Sequence, residues 1–462
     1  MGGEWLRRHG WGASGTRRVV HGSVGLFVAG SPWLFSGPGP LCVLAAGFVI
    51  LNGAARICGW WPSVHAARPT SWGTVALPLA VLPAVAATWG VFPGRVVAFQ
   101  GAFLVVAIAD PLAAWVGERS DGPHLTETAT WPGTGAFVAA TTVLVGGSLY
   151  GGGWGPSRAL AVAGVTGIVA ATVEAISRRG WDNLFVVLAV VAILVPLIEG
   201  RSDVPSMGVA LLAGFCFGGA AFWGGALTRT GALGGGLFAA ALVALGGVRW
   251  VVPGLAFFVL SSALSALPHS REGGEGGRQL RQVLANGGVA WGLLLVFAVV
   301  PVDAEGLRAG CYAGFLGALA AAAADTWASE LGTRYGGPPR SVIGGGRVPP
   351  GTSGAVSLVG TGAAALGAAS VALAAAIVAP GGESAQVHLW RGAVAGVVGM
   401  AVDSLAGATI ERPSRSPASD PVHRRREDGW TEDDWKWGLD NEGVNFLCTA
   451  AGALAAIGLW GL

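Results

Sequence analysis

The sequence predicts an all-α, polytopic transmembrane protein of about 15 spans, built from two fused and related membrane domains. Three observations predict it. Hydrophobic residues make up 52% of the 462 positions and charged residues only 12%, a balance that soluble domains do not show. Apolar runs of spanning length recur from one end to the other, separated by short polar segments. The 78 glycines, many in pairs and triplets, suit helices that pack closely or break locally.

In chain order, the basic start MGGEWLRRHGWGASGTRR leads into an apolar run with no small-residue cleavage site, so it reads as a retained first span. Spans are then expected near 19–36, 39–57, 72–91, 95–117, 133–150, 158–177, 182–199, 206–225, 230–247, 249–267, 285–301, 307–331, 352–379, 389–410 and 442–461. With the N-terminus cytoplasmic, alternate loops gather most of the 28 Lys and Arg residues on one side, as the positive-inside rule requires. Loop 332–351 then faces the cytoplasm, in an inner or plasma membrane. Two polar stretches lie on that side. Residues 411–440, with the Arg424–Arg426 cluster, read as a solvated or lipid-facing segment, and 268–281 reads as a flexible segment able to close over a nucleotide.

Several classes are excluded. Cys42, Cys58, Cys216, Cys311 and Cys448 have no CxxC spacing and read as packing residues. No Walker A or Rossmann fingerprint is present, the histidines lack zinc spacing, and no basic tract or aromatic platform points to nucleic acid.

The halves echo each other. ADPLAAWVGER (109–119) resembles ADTWASELGTR (324–334), WPGTGAF (131–137) resembles PPGTSGAV (349–356), and Asp-Asn heads an apolar run at 182 and at 440. The domains are expected at 1–203 and 204–462, divided at EGRSDVP. The N-terminal half keeps Asp110, Glu118, Arg119, Glu174, Asp182 and Asn183 as its polar candidates.

In the C-terminal half, polar residues recur at the cytoplasmic ends of five spans: Thr228 and Arg229; Gln282 and Asn286; Asp325, Ser329 and Glu330; Asp403 and Ser404; Asp440, Asn441 and Asn445. One such residue would be a cap or a snorkelling group. Five helices doing the same on one face point to a shared polar pocket, because an intramembrane acid costs a few kcal/mol unless it is used. Asp325, Asp403 and Asp440 suit Mg²⁺, held through carboxylates and waters. Arg281, Arg340 and Arg347 suit bidentate phosphate contacts. The Gly351-Thr352-Ser353-Gly354 turn offers backbone N–H groups and hydroxyls to an anion. Phosphoryl transfer needs little beyond such positioning and charge neutralisation.

The C-terminal half resembles the DUF92/TMEM19 family of integral membrane proteins, on LTRTGALGGG (227–236), RQVLANGGVA (281–290), ADTWASELG (324–332), VPPGTSGAVSLVGT (348–361), DSLAGATIE (403–411) and LDNEGVNF (439–446). The resemblance implies a phytyl-phosphate kinase-like activity: phosphoryl transfer from CTP or ATP to a prenyl monophosphate, giving the diphosphate. In that setting Asp325 and Asp403 hold Mg²⁺ with Asp440 or Glu330 as third acid. Arg340, Arg347 and the 351–354 turn bind the triphosphate, and Asn286, Asn441 and Asn445 complete the pocket. The N-terminal half is similar to phytol kinase/dolichol kinase membrane proteins, on RRVVHGSVG (17–25), ADPLAAWVGER, the 133–137 turn and EAISRRGWDNLFVVL (174–188). It lacks the Lys and Glu those families carry before the turn. An active prenol kinase half would need a general base, for which Asp110 is the candidate. A lipid-phosphate cytidylyltransferase using the same acids and a lipid or isoprenoid transporter are the alternatives.

Overall fold

A computed structural model describes residues 12–60, 71–90, 92–266, 277–379, 385–411 and 438–460. Most of the expected nucleotide-covering segment 268–281, and residues 412–437 of the 411–440 stretch with Arg424–Arg426, lie outside the described residues.

Each expected apolar run is helical. The helices are α1 Ala13–Leu34, α2 Gly39–Ile57, α3 Gly73–Ala87, α4 Val96–Gly117, α5 Trp131–Gly151, α6 Pro156–Ile176, α7 Asp182–Ile198 and α8 Val204–Trp223. They continue as α9 Arg229–Gly246, α10 Val248–Ser265, α11 Leu280–Val299, α12 Glu305–Tyr335, α13 Leu358–Ile377, α14 Ala385–Thr409 and α15 Asn441–Trp460. Among the described residues 12 are long and apolar enough to cross a membrane, and α3 and α7 are shorter apolar helices. Between α12 and α13 the strands β1 (Arg340–Ser341) and β2 (Ala355–Val356) pair antiparallel.

Internal contacts divide the chain into two units. The first runs to Phe215 and takes in Ala298–Val300; the second is Cys216–Phe297 with the chain from Pro301 onward. The expected boundary at 203/204 is the turn before α8, whereas this division falls inside α8.

Each unit contains the same four-helix motif: α4-α5-α6-α7 in the first, α12-α13-α14-α15 in the second. The fourth helix of each begins at or beside an Asp-Asn pair, Asp182-Asn183 and Asp440-Asn441. The second helix of each is capped alike: the Thr130 hydroxyl accepts from Gly133 N (3.2 Å), and the Ser357 hydroxyl from Gly360 N (3.0 Å). The capped glycine then crosses the first helix at closest approach. A Cβ on Gly133 would lie 3.0 Å from the Ala113 carbonyl, and one on Gly360 would lie 3.2 Å from the Ala328 carbonyl. This corrects the register of the repeat: TWPGTG (130–135) corresponds to SLVGTG (357–362), not to PPGTSG. The first GTG is helical, whereas the PPGTSG turn precedes β2 and α13.

The core of the second unit is α12. Its residues from Cys311 to Ala324 are all buried and mostly alanine or glycine, so neighbouring helices approach the backbone itself. On α15, a Cβ at Gly452 would lie 2.5 Å from the Gly317 carbonyl. At the other end of α12 the packing changes to aromatic rings, with Trp250 4.5 Å from Phe315 and 5.2 Å from Tyr312 between centroids.

Helix α4 is broken by a π turn, Val105–Ala109. The cause is Pro111. It has no N–H, and the Asp110 N–H bonds Val105 O instead of Val106 O. The Val106 carbonyl is thereby left without a helical donor.

Candidate functional site

In the second unit, α12 and α14 both run toward the site and α15 starts from it. Ala321 of α12 packs against Gly399 of α14, and the Ala321 carbonyl accepts from Cys448 Sγ of α15 at 3.7 Å. One helical turn further on, the side chains become acids: Asp325 follows Ala321 by four residues and Asp403 follows Gly399 by four. Their carboxyl groups meet in a side-chain hydrogen bond. Asp403 Oδ1 is buried with no hydrogen-bond partner, and so is Asn286 Oδ1 on α11. One turn back from Cys448, α15 brings Asn445 to this level.

The glycine-rich turn docks on the end of α14. Gly351 and Gly354 adopt φ of 85° and 71°, which only glycine takes easily. A Cβ on Gly354 would lie 2.6 Å from Ala408 N. The Ser353 side chain hydrogen-bonds Glu411, and Glu411 stands within electrostatic reach of both Asp403 and Asp440. Burial pushes the Glu411 carboxyl above its ordinary pKa; the bond to Ser353 opposes that, and Asp440 adds to it. Thr352 Oγ1 donates to Pro349 O at 2.8 Å, fixing the turn from within. Arg340 and Arg347 are cross-strand neighbours on the adjoining hairpin, both exposed, with Arg340 Nη1 donating to Gly345 O at 3.3 Å.

Other expected members go elsewhere. Glu330 is separated from Asp325 by five residues, which at about 100° each turns it roughly 140° around the helix. It accepts from Ser265 Oγ at 3.1 Å, and Arg278 Nη2 donates to the same hydroxyl at 3.1 Å. Asp440 caps α15 by accepting from Gly443 N at 3.0 Å, and its other oxygen pairs with Arg281. Arg281 also lies 3.6 Å from Glu442. Asn441 is exposed beside them. Ser329 Oγ donates to Thr326 O at 3.1 Å and Ser404 Oγ to Met400 Sδ at 3.7 Å. Among the described residues no three His, Cys, Asp or Glu side chains are grouped to hold a metal. Asp325 and Asp403 therefore stand as a pair, and Asp440 is joined to Arg281 rather than to them.

The first unit holds a cavity of about 1100 Å³. Of the six polar candidates of that half, Asp110, Glu118, Glu174, Asp182 and Asn183 line it and Arg119 does not. Glu174 is within electrostatic reach of both Asp110 and Asp182. These three acids occupy the same places in their motif as Asp325, Asp403 and Asp440 in theirs: end of the first helix, end of the third, start of the fourth. Beyond them the wall turns apolar, with Phe27, Leu41, Phe48 and Leu77. Three buried polar atoms that line the cavity, Thr16 Oγ1, Thr134 Oγ1 and Asn183 Oδ1, have no hydrogen-bond partner.

Two residues of these sites carry only weak sequence signals. Glu411 ends the DSLAGATIE run, and His21 sits in RRVVHGSVG; each is a lone polar residue that tertiary packing delivers to its site.

The family described as integral membrane protein DUF92 matches residues 212–453. An uncharacterized membrane protein of Methanocaldococcus jannaschii is 27% identical over 235 residues, covering 50% of this chain and 84% of its own length. No solved structure matches.

Proposed function

The chain belongs to the DUF92 family of integral membrane proteins, and from that premise we propose that its second unit is a membrane phosphotransferase. It moves a phosphoryl group from a nucleoside triphosphate, CTP favoured over ATP, to a prenyl or phytyl monophosphate, giving the diphosphate. The observation that carries this is the Asp325–Asp403 pair, with its buried and unpartnered Asp403 Oδ1, next to the glycine turn that ends at Gly354.

Two adjacent carboxyls with an oxygen lacking a partner fit Mg²⁺, which takes one or two carboxylates and completes its shell with waters and substrate phosphates. Asp325 and Asp403 would hold it, and when bound it supplies charge neutralisation for the phosphates. Arg340 and Arg347 present two guanidinium groups on one hairpin, suited to a polyphosphate. The 351–354 turn directs backbone toward the same end of α14. The acceptor phosphate is already anionic, so this unit needs no strong base. Its hydrocarbon would enter from the bilayer between the small-residue helices, with the phosphate kept at the cytoplasmic face.

The test is purified protein with Mg²⁺, labelled CTP or ATP, and geranylgeranyl monophosphate, with separation of lipid products. Diphosphate and CDP support the proposal. A CDP-lipid with released pyrophosphate would make it a cytidylyltransferase, and no lipid product with either nucleotide would leave transport as the better account.

The cavity of the first unit favours a second role: phosphorylating the prenol. It joins an acidic end to an apolar wall, the shape of a single-chain amphiphile, and it is built on the same four-helix motif.

A further inference from the structure

Phosphorylating an alcohol differs from phosphorylating a phosphate in one respect: a proton must leave the acceptor oxygen. The two motifs differ in the same respect. His21 lies on α1, which packs against α4 of the first motif. In the second motif α11 packs likewise on the first helix, where a Cβ on Gly314 of α12 would lie 2.9 Å from the Leu293 side chain. There Asn286 precedes Gly287 as His21 precedes Gly22, each a few residues after an arginine. An amide cannot take a proton at neutral pH; an imidazole can.

His21 is held for that task. Its Nε2 is 3.2 Å from the Val106 carbonyl, the group that the π turn and Pro111 strip of a helical donor, and 3.7 Å from Asp110 Oδ2. Two acceptors on one side place the imidazole proton on Nε2 and leave Nδ1 as the lone-pair acceptor. His21 lines the cavity.

The cavity also indicates what it takes. Its walls carry Asp110, Glu118, Glu174 and Asp182 together with arginines at 17, 18, 178 and 179, of which Arg18 pairs with Glu118 and Arg178 with Glu127. Asn183 is only 6% exposed and its Oδ1 lacks a donor, so the head that fits donates a hydrogen bond, as a hydroxyl does.

We propose that His21 takes the proton of a hydroxyl-bearing, single-chain amphiphile as that hydroxyl is phosphorylated in the first unit, with Asp110 and the Val106 carbonyl orienting the ring. The hydroxyl oxygen attacks the γ-phosphorus of the nucleoside triphosphate, the bond from that phosphorus to the bridging oxygen breaks, and the nucleoside diphosphate leaves with the electron pair. The hydroxyl proton ends on His21 Nδ1 and passes to water when the product departs. This role rests on the prenol-phosphorylating role proposed for the first unit.

The experiment uses the full chain in nanodiscs with Mg²⁺ and labelled CTP, offered geranylgeraniol or geranylgeranyl monophosphate, with His21→Gln and His21→Gly variants. A diazirine-bearing long-chain alcohol reports occupancy of the cavity. His21→Gln should cut conversion of the alcohol by about a hundredfold or more, leave conversion of the monophosphate within about twofold, and leave photolabelling of α1–α3 peptides intact. Added imidazole should restore alcohol turnover to His21→Gly. Alcohol turnover by His21→Gln within a few fold of the parent, or no imidazole rescue with labelling retained, overturns the role of His21. A parent protein that converts the monophosphate but never the alcohol removes the first-unit role and leaves the second unit's standing. One that converts neither removes both.

Discussion

Asp325 and Asp403 come from helices α12 and α14 and meet carboxyl to carboxyl, one turn beyond the contact between Ala321 and Gly399. Two carboxyls joined by a hydrogen bond hold a proton between them, and one Asp403 oxygen is buried without a partner. Such a pair is costly to keep and is explained by something that binds it. Asp325→Asn and Asp403→Asn should each lower phosphoryl transfer on the order of a hundredfold, with thermal stability close to the parent's because the amide can keep the hydrogen bond to the remaining carboxyl. Turnover and melting in the same detergent decide it; a melting loss that tracks the activity loss would make the pair structural.

Close packing makes an opposite pair of predictions for two glycines. A Cβ on Gly452 would lie 2.5 Å from Gly317 O and 2.6 Å from Ala321 Cβ, so Gly452→Ala should cost about 1–3 kcal/mol. Gly362 on α13 faces open space, and Gly362→Ala should stabilise by about 0.5–1 kcal/mol through helix propensity. Denaturation in mixed micelles reads both, and equal effects would contradict the packing of α12 on α15.

Arg281 separates binding from stability. Its ion pair with Asp440 is largely exposed, with side chains at 64% and 55%, and exposed pairs contribute little. Arg281→Ala should leave melting unchanged and raise the KM for the nucleotide about tenfold if the guanidinium leaves Asp440 for a phosphate. An unchanged KM would restrict Arg281 to the Asp440 contact.

The helices were legible because spanning length and hydropathy are local properties, and all fifteen apolar runs are helical where expected. The acids were legible as residue types, and Asp325 with Asp403 is the pair the sequence already singled out. What it misplaced depends on contacts between distant segments. Asp325 and Glu330 look adjacent in ADTWASELG, but helical rotation sends Glu330 to Ser265. PPGTSG resembles WPGTGAF more in its letters than SLVGTG does, yet the capped glycine against the preceding helix fixes the equivalence with SLVGTG. His21 acquires its setting from a carbonyl freed by Pro111, 90 positions along the chain.

Glu411 gives a pH prediction with a definite sign. Burial raises its folded-state pKa, reinforced by Asp440 and opposed by the Ser353 bond. A carboxyl whose folded pKa is raised binds its proton more tightly when folded, so it costs nothing below its unfolded pKa. Its penalty grows as pH rises from that value to the folded pKa and is complete above it. Glu411 therefore lowers stability at neutral pH relative to acid pH, and Glu411→Gln should melt higher than the parent at pH 8 and the same as the parent near pH 4, with a smaller dependence between. Melting curves of the two proteins across that range test this. A variant that melts lower at pH 8 would mean that the Ser353–Glu411 bond, anchoring the turn to the end of α14, outweighs the cost of the buried charge.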